Sequence, residues 1–125
     1  MSKTSIAVLP FRNLSGDAEN EYLSEGLSEE IIHALTRVEG LKVTSRRSSF
    51  YFKDKDLPLS EIASELKVTV ILEGSIRLAG DTLRVSAQLI KADEDYQFWS
   101  ESWDRKLANI FEVQDEVSLL IADRL

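Results

Sequence analysis

The chain has 125 residues, 43% hydrophobic and 30% charged, with a formal net charge of −7 and no cysteine. That length suits one domain with a single core, and the lack of cysteine excludes disulfides, thiolate nucleophiles and zinc–thiolate sites. The acidic balance argues against a nucleic-acid surface, which needs clustered Lys and Arg, and the apolar runs are too short and too interrupted by charge for a membrane span or signal peptide.

In chain order, the run from Ser5 to Phe11 is apolar and closed by Pro10 and the polar cluster Arg12 to Asp17, which predicts a buried strand. The loop Asn13 to Asp17 is a first candidate site. Its Asn, Ser and Asp can bond to nearby backbone, and Asp17 can cap the next helix; the competing reading is a ligand contact. From about Glu19 to Val38, Leu23, Leu27, Ile31 and Leu35 recur every four residues, with Ile32 and Val38 widening the stripe of a core-facing helix. Gly26 interrupts it at a cost of about 1 kcal/mol relative to Ala, so either the backbone packs closely there or the helix starts nearer Ser24 or Ser28. Six acids between Asp17 and Glu30 predict a solvated face near the positive helix end. Glu29 and Glu30 cannot face each other as a catalytic pair. The single histidine, His33, has no companion ligand and is read as a surface or packing residue.

Gly40 fits a C-terminal cap, and Leu41 to Arg46 predicts a second strand with Leu41 and Val43 on one side. The segment Arg46 to Asp56, with two arginines, two serines, three consecutive aromatics and two lysines, is a basic island in an acidic chain. Arg and Ser hydroxyls there could hold a carboxylate or phosphate, and basic plus aromatic residues could stack single-stranded nucleic acid. The bland alternative packs Phe50 and Phe52 under the sheet and pairs Arg46 with an acid such as Glu73. Pro58 to Val68 predicts a short helix with Leu59, Ile62, Ala63 and Leu66 on one face.

The stretch Val70 to Ile90 is the centre of the expected sheet. Val70, Leu72, Gly74, Ile76 and Leu78 alternate with Ile71, Glu73, Ser75 and Arg77, and Leu83, Val85, Ala87 and Leu89 repeat the period of two. Gly80-Asp81 supplies the turn, since glycine takes the positive φ of a tight hairpin. Tyr96 to Trp103 predicts a further strand carrying Trp99 and Trp103 on one face as packing. Asn109 to Leu125 predicts a helix opened by a capping box of Asn109 with Glu112. Ile110, Val113, Val117 and Leu120 form its stripe, and Phe111, Leu119 and Ile121 lie off it, which predicts contact with another domain or a second copy. The order strand, helix, strand, helix, then three strands and a helix implies an α/β (α+β) mixed sheet of about five strands with about three helices.

The segments IAVLPFRNLSGDAENEYLSEGLSEEIIHAL, VTSRRSSFYFKDK, EIASELKVTVILEGSIRLAGDTLRVSAQLI and FWSESWDRKLANIFEVQDEV resemble the TolB-like domain, related also to FlgO. The resemblance spans Ser5 to about Val117. It implies a fold like the amino-terminal domain of TolB, with residues 118–125 continuing the last helix toward a helical-repeat region. It further implies a setting in bacterial class III adenylate/guanylate cyclases or winged-helix regulators, before tetratricopeptide repeats. The family's recurrent polar positions fall on Asn13, Ser15, Gly26, Arg46, Ser48, Ser49, Glu73, Gly74, Ser75, Gln88 and Asp104. No catalytic site comes with them, and isolated Gly16, Gly26 and Gly40 do not make a phosphate loop.

Two functions follow as expectations. One is a non-catalytic regulatory or protein-interaction module, with neighbouring domains of the same protein as partners, a possible homodimer, and no cofactor, metal, nucleic acid or membrane insertion. The other is a sensor of a small anionic ligand, its pocket built from Arg46, Ser48 and the Asn13 to Asp17 loop near strand ends; Ser15, Ser49, Glu73 and Gln88 complete the candidate positions. The setting is expected to be cytoplasmic, or periplasmic were a membrane helix to precede the domain.

Overall fold

A computed structural model describes residues 4–16 and 18–125. It contains β1 (Thr4–Val8), β2 (Arg12–Asn13), α1 (Glu21–Thr36), β3 (Leu41–Val43), α2 (Arg46–Phe50), α3 (Leu59–Leu66), β4 (Val70–Ala79), β5 (Thr82–Lys91), β6 (Tyr96–Lys106) and α4 (Ile110–Arg124). The sheet order is β3-β1-β4-β5-β6, with β2 also on β4. β1 and β2 run parallel to β4, Ile6 beside Val70 and Arg12 beside Ser75, and β3 runs parallel to β1. The β4–β5–β6 part is antiparallel. The fold is thus the expected mixed α+β sheet, with one more short strand and one more short helix.

The period of two sorts the sheet into faces. On the inner face Val70, Leu72 and Ile76 join Leu83, Val85, Ala87, Leu89, Trp99 and Trp103 in a core closed by α1 and α4. On the outer face α3 lays Ile62 and Ala63 over Ile71, together with Leu9, Phe52 and Ala92. Ile90, opposite Ile71, is buried there as well, and from Glu73 to Arg77 the face is polar. At the β4–β5 turn Gly80 has φ 63°, which a side chain would strain.

Pro10 has no N–H to extend β1, and the chain steps off β4 and rejoins it at Arg12. Leu9 N donates to Leu72 O at 2.9 Å before the step, and Leu14 N donates to Ile76 O at 2.8 Å after it. Between them Phe11 N donates to Ser28 Oγ at 2.8 Å, and that hydroxyl donates to Ser24 O at 2.7 Å. The Phe11 ring then lies where a Gly74 side chain would stand. A Cβ there would be 2.3 Å from Ser86 O and 2.6 Å from the ring, so Gly74 answers to close packing.

Several expectations are corrected. Residues 44–46 are not strand: Ser45 N-caps α2, its Oγ accepting from Ser48 N at 3.4 Å. α1 runs through Gly26, where a Cβ would meet nothing within 4 Å, so neither close packing nor a later helix start explains it. Asn109 precedes α4 but makes no side-chain cap, so the capping box does not form. Ile121 is fully buried with Val113 and Val117, whereas Phe111 and Leu119 stand exposed, 71% and 72%. The cap expected of Asp17 lies outside the described residues.

Candidate functional site

A cleft of about 570 Å³ opens at the step between β1 and β2, beyond the carboxyl end of β1. Phe11, Glu73 and Gly74 form its floor, and Phe52, Leu57, Leu59 and Ile62 its apolar wall. Arg12, Asn13, Glu21 and Lys53 stand at its rim. Asp54, Lys55 and Asp56 line it too, so this end-of-strand cleft is more charged than the mostly apolar pockets typical of small-molecule sites.

The rim is held by charge. Lys53 Nζ lies 2.8 Å from Glu21 Oε1 and also binds Glu25 Oε1, tying the chain after α2 to the first turns of α1. Hydrogen bonds donated to the Glu21 and Glu25 carboxylates hold the Lys53 ammonium above the ordinary lysine range, against a smaller opposing effect of burial. The hydrogen bond from Lys53 holds the Glu21 carboxyl below its ordinary range, opposed by burial, with a further contribution from the Asn13 side chain. The acids of α1, expected to be a solvated face, thus clasp the basic segment.

The sequence-predicted residues scatter around this frame. Asn13 and Glu73 line the cleft. Asn13 Oδ1 also accepts from Ser15 N at 3.0 Å, and Ser15 Oγ accepts from Leu78 N at 2.8 Å, latching the loop onto β4. Arg46 does not reach Glu73. Its Nε lies 3.1 Å from Glu29 Oε2, and its guanidinium stacks 4.2 Å from the centre of the Phe50 ring. The two residues expected to pair are separated because Arg46 begins a helix rather than ending a strand. Ser48 belongs to the α2 cap, and buried Ser49 Oγ has no hydrogen-bond partner among the described residues. Gln88 lies on the outer face, opposite Glu73 on one side and Ser100 on the other. Among the described residues Asn13 lines this cleft but Arg46 and Ser48 do not, and Arg12 and Lys53 stand there instead. Lys53 was visible as part of the basic island, but its acids lie 28 and more residues upstream.

Among the described residues no group of three or more His, Cys, Asp or Glu is placed to hold a metal ion. Among the described residues no helix is long and apolar enough to cross a membrane.

Comparison with known proteins supplies the wider setting. A family described as HilA/YgeH-like transcriptional regulator, second domain, matches residues 2–120. A protein named Putative adenylate cyclase 3, from Rhizobium meliloti (strain 1021), is 45% identical over 124 residues, 99% of this chain but 21% of that protein. Among solved structures, lipoprotein GNA1162 from Neisseria meningitidis superposes with a TM-score of 0.69 at 16% identity, over 96% of this chain and 99% of that one. TolB from Acinetobacter baumannii gives 0.64 at 18% identity, over 94% of this chain and 27% of that one. At these identities the two structures establish the fold alone.

Proposed function

The chain belongs to the family of second domains of HilA/YgeH-like transcriptional regulators, and from that premise we propose that it is a non-catalytic regulatory domain relaying a signal within a larger protein. One observation carries the reading. The same unit matches a domain of transcriptional regulators and, nearly end to end, one fifth of a protein named as a cyclase. A unit shared by two kinds of output is best explained as a part that controls the output rather than performs it.

In this reading its partners are neighbouring domains of one protein: a cyclase or winged-helix effector on one side and tetratricopeptide repeats on the other. The exposed Phe111 and Leu119 on α4 offer apolar contact to such a neighbour or to a second copy. The domain would work beside its effector in the cytoplasm. Nucleotide chemistry would stay in the effector.

The test uses the Rhizobium protein as the frame. Its matching segment is deleted, or replaced by this chain, and cyclic-nucleotide formation is measured beside that of this chain alone. The expected result is altered output on deletion, restoration in the chimaera, and no turnover by the isolated chain. Turnover by the isolated chain, or unchanged output on deletion, overturns the proposal.

A further inference from the structure

The open part of the outer face carries a cluster that the relay reading does not use. Arg77 of β4 stands directly opposite Arg84 of β5, and Ser75 stands opposite Ser86. On its other side Ser75 is flanked by Arg12 of β2. Residues two apart on a strand share a face, and cross-strand and diagonal neighbours lie about 5–8 Å apart. Three guanidinium-bearing side chains and two hydroxyls therefore rise from one small area of sheet.

Like charges directly across an antiparallel pair are destabilising, so an Arg–Arg pair calls for a compensating anion. Among the described residues only one of the three has an ion pair. Arg84 holds Asp104 through Nε at 2.8 Å and Nη2 at 3.0 Å. Exposed Arg12 and Arg77 have no ion pair among the described residues. Ser75 has no side-chain hydrogen bond there either, and Ser86 Oγ has only Ser102 Oγ, 3.2 Å away. Glu73 also lies on this face, nearer the cleft. In a chain with a net charge of −7 this is a concentration of uncommitted donors.

We infer that this notch binds a phosphoryl group, held by Arg12, Arg77 and Arg84 over the hydroxyls of Ser75 and Ser86. Planar guanidinium forks match phosphate oxygens in pairs of hydrogen bonds. A carboxylate has two oxygens and is satisfied by one fork, as Asp104 is by Arg84; a phosphoryl group has oxygens for all three forks and the hydroxyls. Asp104 is then an internal competitor that holds the third arginine until ligand arrives. Binding is measured without reference to effector output, so this site and the relay role can fail separately.

The experiment titrates the chain with pyrophosphate at ionic strength held constant with sodium chloride, following amide and arginine Nε–H NMR signals. Saturable shifts confined to residues around Ser75 and Ser86 are expected, with affinity falling about tenfold or more in Arg77→Gln and partly kept in Arg77→Lys. Asp104→Asn is expected to tighten binding, while Glu61→Gln, the same charge change on α3, leaves it unchanged. A second arm compares phosphatidic acid vesicles with phosphatidylcholine vesicles. Arg77-dependent binding only to free pyrophosphate assigns a soluble ligand, and Arg77-dependent capture by phosphatidic acid assigns a lipid headgroup. Non-saturating shifts spread over surface lysines and arginines, or an unchanged affinity in folded Arg77→Gln, overturn the proposal.

Discussion

The two faces of the β4–β5–β6 sheet are made by alternate residues of the same strands, yet they do opposite work. The inner face is mostly apolar and buried under α1 and α4, giving way to exposed Glu101 only at the β6 edge. The outer face is apolar only under α3 and then becomes a field of Ser, Gln, Arg, Glu and Asp. The contrast separates what folds the chain from what the chain presents. Burial of apolar area stabilises the inner face, while exposed pairs such as Arg84 with Asp104 add little to stability and remain available to a ligand.

Substitutions on β4 break the comparison most sharply. Leu72→Ala, on the inner face, should cost about 3 kcal/mol by leaving a cavity in the fully buried core. Ser75→Ala, three residues on and outward, should cost less than about 0.5 kcal/mol. Urea denaturation checks both, and similar losses would erase the distinction. Gly74→Ala should cost about 2 kcal/mol although it adds only a methyl group. The added Cβ meets the Ser86 backbone oxygen, which cannot swing away; a neutral result by the same measurement would mean that the Phe11 step is free to move.

Smaller effects come from the ion pairs between α1 and the basic segment. Arg46→Ala should cost about 0.5–1 kcal/mol, the loss of one exposed ion pair and a ring contact, and should leave pyrophosphate binding unchanged. A loss of affinity in that variant would move the anion site to α2. The Lys53 clasp should show as a pH signature. The lowered Glu21 carboxyl contributes stability above pH 4.5 that is lost as pH falls through its folded value. The raised Lys53 ammonium contributes below pH 10.5 and is lost as pH rises through its folded value. The gap in urea midpoint between the chain and Lys53→Met should therefore narrow below pH 4.5 and again above 10.5. A constant gap would mean that Lys53 acts through packing alone.

Much of the inner face was legible in the sequence. Alternation over Val70 to Leu89 states a hairpin, its turn and its buried side at once, and the four-residue recurrence in α1 states which side faces it. α2 was not legible, because five residues are too few for a helical period and Arg-Arg-Ser-Ser-Phe also suits a strand end. The contacts of the basic segment were only half legible. Sequence shows that Arg46 needs an acid, but choosing Glu29 over Glu73 requires knowing that a helix, not a strand, carries it. The notch of arginines was hidden for a related reason: Arg12, Arg77 and Arg84 come from three strands, and only their register brings them together.

The register of β1 has a kinetic consequence. Ile6 pairs with Val70 and Val43, so one neighbour of β1 lies 64 residues along the chain, while β4, β5 and β6 meet through short turns. Closing the longer loop costs more chain entropy and is repaid only when the sheet's other strands are in place. We expect the C-terminal meander to form first and β1 to insert last, as a keystone between strands already positioned. In a chevron analysis Val8→Ala should then chiefly speed unfolding, whereas Val85→Ala should chiefly slow refolding; the reverse pattern would place the nucleus at the amino-terminal end.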